Sequence, residues 1–305
     1  MRRKAKQFLS RVGGIVLLAA LSIFINQFIA ENEKDASRDA VKPTDMIEVH
    51  FIDVGQGDAI LVEAGTSTML IDAGENNKGN LVKEYLNNRQ ITKLDYIIGT
   101  HPHSDHIGGL DTILDSFEVD KVLLPNVVHT TKTYEDVLDA IDRHDLKITA
   151  VRVGDVYSLG PASFTILAPG TDAYDEINDY SIAIRLAFGE TAFLLAGDAE
   201  NKSELEMLKT GLNLRADVLK LSHHGSSYSS CEEFLEEVDP SYSIVCVGKN
   251  NEYGHPHAKT LQKIFDRNIK LYRTDEQGSI VFTSNGQTIS VNTQDYPITE
   301  PDLKQ

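Results

Sequence analysis

Short apolar runs separated by Gly- and Asp-containing turns dominate the chain from Met46 onward. Residues 47–52, 59–63 and 68–72 have the length and β-branched content of strands. Residues 80–89 repeat apolar side chains at helical spacing, and 94–99 return to a continuous apolar run. The pattern then predicts a helix over 110–116, a strand over 119–124 and a helix over 134–144. A second stretch has the same style. Strands are expected at 163–168, 181–188, 192–196, 217–221, 243–247, 270–273 and 279–283, with helices at 202–210, 232–238 and 259–268. There is no sequence repeat, but the two halves resemble each other in order. Two sheets sandwiched between helices fit this alternation better than one doubly wound parallel sheet. From about Thr293 the chain is polar and is expected to fray.

The start of the chain is different. Arg2, Arg3, Lys4 and Lys6 precede an uncharged apolar stretch from Val12 to Ala30. A basic flank before such a run is the pattern of a signal peptide or signal anchor. No small-x-small cleavage site follows, which favours an uncleaved anchor with the rest of the chain outside the membrane. The organisation expected is therefore residues 1–30 as targeting segment, 31–45 as a charged flexible linker, 46–292 as the folded domain and 293–305 as a polar tail. An extracellular location follows from this reading, whether the protein is anchored or secreted.

Composition narrows the function classes. The 305 residues carry a formal net charge of -17, which argues against a broad basic surface for gripping nucleic acid. An anionic substrate is still compatible, because bound divalent cations invert a local field. Cys231 and Cys246 are the only cysteines, and their spacing matches no zinc-ribbon pattern. They are either two free thiols or one bridge.

The chemistry concentrates in His101-Pro102-His103-Ser104-Asp105-His106, just beyond the strand expected to end near Thr100. Imidazole and carboxylate donors on a loop at a strand end suit Zn²⁺ and related ions. His101 and His103 can face one metal, and Asp105 and His106 a second. Two distant segments repeat the form, an apolar strand ending in polar residues. One is 193–198, ending in Gly197-Asp198, and the other is 219–226, carrying Ser222-His223-His224-Gly225. A carboxylate at Asp198 can bridge two cations, although an Asp after a strand is also a common helix N-cap.

Together these pieces resemble the metallo-β-lactamase superfamily. With DVGQGD at 53–58, Asp72 in LIDAG, Asn178-Asp179-Tyr180-Ser181 and Tyr253-Gly254-His255-Pro256, the chain is similar to the C-terminal hydrolase domain of ComEC-type competence proteins over roughly residues 47–290. The resemblance implies an α/β, four-layer αββα sandwich. It implies two divalent cations, zinc or alternatively manganese, sharing a hydroxide. His101 and His103 would hold the first, Asp105, His106 and His224 the second, and Asp198 would bridge them. Asp72 would hydrogen-bond the metal loop from outside. Many members carry another His between the HxHxDH loop and the bridging Asp. This chain offers only His129 and His144 there, so the first cation is expected to be partly occupied, with Asn178, water or substrate completing its shell.

His223 and His255 are the candidate proton donors, beside Asp105 as a catalytic residue. His257 is expected at the edge of a helix, with a further metal at His255 and His257 as an alternative. Lys220 and Lys249 either meet phosphate or are solvated. The family's association with DNA degradation outside the membrane implies a phosphodiesterase or nuclease acting on a phosphodiester, with DNA the leading substrate and no protein partner evident. The competing readings are a phosphoesterase acting on cell-wall phosphocholine or teichoic acid, and a non-catalytic extracellular binding protein.

Overall fold

Each of the two sheets starts as an antiparallel meander and ends in parallel strands joined by helices. The computed structural model describes residues 45–304 apart from Asp172, so the expected targeting segment and nearly all of the linker lie outside the described residues. In the first sheet β1 (Ile47–Phe51), β2 (Ile60–Ala64) and β3 (Ser67–Ile71) pair antiparallel. The chain then crosses over through α1 (Gly79–Asn88) to β4 (Lys93–Ile98), which lies parallel to β3. The short helices α2 (Ser104–Ile107) and α3 (Leu110–Leu114) lead to β5 (Glu118–Leu123), and α4 (Lys132–Arg143) leads to β6 (Ile148–Thr149).

The second sheet repeats this plan. β7 (Val156–Leu159), β8 (Ala162–Ala168), β9 (Ala183–Phe188) and β10 (Thr191–Leu195) pair antiparallel. Crossovers through α5 (Asn201–Lys209), α6 (Glu232–Val238) and α7 (Ala258–Asp266) then place β11 (Val218–Lys220), β12 (Tyr242–Val245) and β13 (Lys270–Arg273) parallel. After the short α8 (Thr274–Gln277), β14 (Ile280–Ser284) returns to pair with β1, and β15 (Ile289–Val291) forms that edge. The strand orders are β15-β14-β1-β2-β3-β4-β5-β6 and β13-β12-β11-β10-β9-β8-β7.

Burial on both faces explains why many strands read as continuous apolar runs. In β3, Met69 and Ile71 enter the cluster between the sheets, while Leu70 joins the cluster under the helices of the first half. In β10, Phe193 and Leu195 face the sheet interface, and Ala192 and Leu194 face α5 and α6. Phe51, Phe164, Phe193 and Phe282 fill the interface fully buried. Each contributes on the order of 2–3 kcal/mol by leaving water. Three apolar clusters separate four layers, helix, sheet, sheet and helix, as the pattern predicted.

The strands that the pattern missed are β6, β7 and β15, all short edge strands with weak burial, and Val156 of β7 is 66% exposed; the one-turn helices α2 and α8 are too short to show periodicity. The tail does not fray as expected. Tyr296 bridges to Leu271 and stacks under the Arg273 guanidinium, and Thr299 caps a 3₁₀ turn at Glu300–Leu303. Ile298 and Leu303 pack on the outer face of the second sheet, apolar contacts too sparse to register as periodicity. Both cysteines are free thiols.

Candidate metal centre

Three loops, following β4, β10 and β11, meet at one end of the sandwich. The loop after β4 carries His101 and His103, and α2 then turns Asp105 and His106 inward. The turn after β10 carries Asp198. The turn after β11, Ser222–Gly225, holds His223 and His224 at φ of 50° and 53°. Left-handed conformations at two successive non-glycine residues cost on the order of 1–3 kcal/mol each and persist only where surroundings impose them. Here His223 N donates to Gly197 O (3.2 Å), and His224 Nδ1 donates to Cys246 O (2.8 Å).

The ligand atoms of Asp105, His106, Asp198 and His224 all lie within 4.8 Å of one another. His106 Nε2 is 3.3 Å from His224 Nε2 and 3.2 Å from Asp198 Oδ1. His224 Nε2 is 3.2 Å from Asp105 Oδ2 and 3.4 Å from Asp198 Oδ2. Beside this group, His101 Nε2 approaches His103 Nδ1 at 3.0 Å, and the His101 and His106 ring centroids are 4.2 Å apart. His106 Nδ1 meets Asp72 Oδ2 at 2.8 Å, and Asp72 also accepts from Thr100 N and Thr100 Oγ1.

This arrangement accounts for the order of motifs along the chain, and the sequence profile of the metallo-β-lactamase superfamily matches residues 52–249. The chain belongs to this superfamily. It is 33% identical over 253 residues to ComE operon protein 3 of Bacillus subtilis, covering 77% of this chain and 33% of that protein. It is 29% identical over 277 residues to Competence protein ComA of Neisseria gonorrhoeae, covering 89% and 35%. Recombination protein 2 of Haemophilus influenzae is 28% identical over 244 residues, covering 78% and 29%. The chain spans about a third of the length of these relatives. It is a metallo-hydrolase of the superfamily, with ComEC-type competence proteins among its homologues.

The donor set fits a divalent cation. Nδ1 of both His106 and His224 is engaged by an oxygen acceptor, which leaves the two Nε2 atoms facing one point. Asp198 Oδ1 is buried there, 3.2 Å from His106 Nε2, with no hydrogen bond of good geometry among the described residues. Burial opposes charge on His106, but Asp198, Asp105 and Asp72 outweigh it and raise its pKa well above the usual imidazole value. Against the same burial, Asp198 and Asp105 raise His224 to about 9. Burial would raise the pKa values of Asp105 and Asp198, yet the two imidazoles hold both well below the usual carboxylate range. Two protons on the imidazoles therefore balance two carboxylates, and one divalent cation at that point would balance them equally and release both protons. Burial, followed by the charge on His106, pushes His101 well below the usual value, so it offers a neutral donor.

A cavity of about 260 Å³ opens onto this cluster, lined among others by His103, Asp105, Asp198, His223 and His255. His223 Nδ1 lies 3.1 Å from Glu200 Oε1, and its Nε2 lies 3.9 Å from Asp198 Oδ2. Asn178 Nδ2 donates to the same Glu200 oxygen at 3.0 Å, so its amide supports the His223–Glu200 pair. His255 packs 5.4 Å from the His223 ring, and burial together with the neighbouring His224 and His223 pushes its pKa down to about 3. His144 is remote, paired with Asp115 on the surface at 2.8 Å. His129, which sequence reading set aside, lies edge-on to His103 with ring centroids 6.3 Å apart.

Two expectations need correction. Lys220 neither meets phosphate nor is solvated. It is fully buried, with Nζ 2.5 Å from Asp58 Oδ2, 2.9 Å from Gly197 O and 3.7 Å from Asp198 Oδ1. Lys249, by contrast, is the solvated lysine of its other reading, exposed and paired with Glu276 at 3.5 Å. The alternative metal at His255 and His257 is also excluded: His257 Nδ1 accepts from Ser227 N, and its Nε2 donates to Tyr253 O, leaving no free ring nitrogen. Sequence reading missed Asp58 and Glu200 as parts of the centre. Asp58 closes the DVGQGD motif and Glu200 lies two residues beyond Asp198, which was the available signal. Gly57 explains the first motif. At φ +117°, an added Cβ would stand 2.0 Å from Asp105 O, so only glycine lets this loop press against the start of α2.

Proposed function

We propose that this chain is a metal-dependent phosphodiesterase, acting as a nuclease on DNA outside the cytoplasmic membrane, where residues 1–30 would hold it. The observation that carries the reading is the convergence of Asp105, His106, Asp198 and His224 on one point at the floor of an open polar cavity. Relatives named for competence and recombination support DNA as the substrate class. Asp105, His106 and His224 would hold one cation and His101 with His103 a second, with Asp198 between them. Zinc and manganese both suit these donors. When bound, the cations supply Lewis acidity at the phosphoryl group and activate water.

The chain's own groups account for the remaining steps. Asp72 and the Cys246 carbonyl orient the two imidazoles. The Glu200 carboxylate holds His223 through Nδ1, and Nε2 then faces the cavity to protonate a leaving oxygen. His255, held neutral by burial, serves as cavity wall in place of the proton donor that the sequence suggested as one option.

The test is a panel of single-stranded DNA, duplex DNA, RNA, phosphocholine esters, β-lactams and bis-p-nitrophenyl phosphate, with Mn²⁺ and Zn²⁺ supplied separately. Cleavage of DNA that a chelator stops, and that Asp105→Ala abolishes together with metal uptake, is the expected result. Turnover of phosphocholine esters without DNA cleavage would reassign the enzyme to the cell wall. A protein that binds no metal at neutral pH would sink the enzymatic reading.

A further inference from the structure

Tyr253 stands at the mouth of the cavity with 57% of its surface exposed. A large exposed aromatic is unremarked on most surfaces, but this one is held in place. Asn251 Oδ1 accepts from His255 N (3.0 Å), while Asn251 Nδ2 donates to Gly248 O (3.0 Å) and His255 O (2.7 Å). The Tyr253 carbonyl accepts from His257 Nε2 (3.2 Å), and His257 Nδ1 accepts from Ser227 N of the double-histidine loop (2.9 Å). The Tyr253 ring lies 25° from the plane of His255, with centroids 5.7 Å apart. His255 lines the same cavity, is nine-tenths buried, and leaves Nδ1 without a hydrogen-bond partner among the described residues.

A flat face on a braced loop, next to an unpartnered buried nitrogen, is suited to a planar ring. The charge of the site points the same way. Glu75, Asp105 and Asp198 line the cavity and the whole chain is at -17, so attraction of phosphates by protein cations contributes little here. Stacking is a source of affinity that needs no positive surface. A duplex hides the faces of its bases, whereas a single strand presents them.

We propose that Tyr253, backed by His255, is a stacking platform for the nucleobase beside the scissile phosphate, which makes single-stranded nucleic acid the favoured substrate. This rests on the phosphodiesterase reading and adds the substrate class to it. The experiment uses the full chain with Mn²⁺ and two oligodeoxynucleotides, an unstructured single strand and the same backbone with abasic sites in place of its bases.

Tyr253→Ala raises KM on the base-bearing strand by about tenfold or more, the range of one lost stacking contact, while Tyr253→Phe holds it near wild type. The wild type already shows the raised KM on the abasic strand, and Tyr253→Ala adds no further increase there, because both changes remove the same contact. A single strand carrying 2-aminopurine reports stacking separately, through quenched fluorescence in the wild type and Tyr253→Phe that is lost in Tyr253→Ala. An unchanged KM in Tyr253→Ala, or an equal rise on both strands, overturns the platform. A wild type that cleaves duplex DNA but neither single strand overturns the preference for single strands. One that turns over no phosphodiester at all sinks the phosphodiesterase reading instead; the 2-aminopurine signal then decides the platform alone, and an unquenched probe overturns it.

Discussion

Lys220→Met tests whether a buried cation supports the metal centre from beneath. Methionine keeps most of the stem's volume, so the change removes charge with little added cavity. The ammonium lies near Asp58 Oδ2 at 2.5 Å, Gly197 O at 2.9 Å and Asp198 Oδ1 at 3.7 Å. Asp58 is 1% exposed, and its Oδ1 already has no hydrogen bond among the described residues. Without the lysine this buried carboxylate keeps only the more distant imidazoles, His224 Nδ1 at 3.6 Å and His106 Nδ1 at 3.9 Å, each already committed to another acceptor. Removing one partner of such a pair costs about 3–5 kcal/mol, a large share of the roughly 5–15 kcal/mol that holds a domain together. Adding Asp58→Asn should return at least half of that loss, since the stranded charge disappears. Urea unfolding followed by circular dichroism measures both, with chelator present throughout so that metal affinity does not enter. A loss below about 1 kcal/mol in Lys220→Met, or a double variant no more stable than the single, would refute the claim that compensation of Asp58 is what the lysine provides.

Glu204 carries a pH dependence. Burial raises its pKa from 4.5 to about 7, against the backbone amides of Cys231 and Ser230 that favour the carboxylate. A carboxyl raised on folding stabilises fully below its unfolded value and loses that contribution as pH rises through the folded one. Unfolding measured between pH 4.5 and 7 should therefore show up to about 3 kcal/mol drained by this group, and Glu204→Gln should flatten that part of the profile. Gly57→Ala should lower stability by more than about 2 kcal/mol and weaken metal uptake, because a Cβ there meets Asp105 O at 2.0 Å. Thermal denaturation and metal analysis of the purified variant check it, and a variant with wild-type values in both would contradict the packing described.

The residues of the centre were legible to different degrees, for definite reasons. His101, His103, Asp105, His106, Asp198 and His224 stand at the ends of apolar runs, and donors at strand ends are a pattern that sequence records directly. Asp72 was readable for the same reason. The supporting pair Asp58 and Lys220 was not, because they are 162 positions apart and a lone lysine beside a strand is ordinarily solvated. The edge strands β6, β7 and β15 escaped because one-sided burial leaves no strong alternation.

The order of apolar runs determined the layers by itself, since strands covered on both faces must be continuous apolar segments and the helices that cover them must be amphipathic. The tertiary structure alone decided which way the donors face. Two left-handed histidines, a glycine pressed on α2 and a lysine drawn beneath Asp198 each depend on contacts between segments far apart in the chain. Local pattern records the length and polarity of a segment. It carries no information about the distance between two turns, and that distance sets whether imidazoles and carboxylates can share one cation.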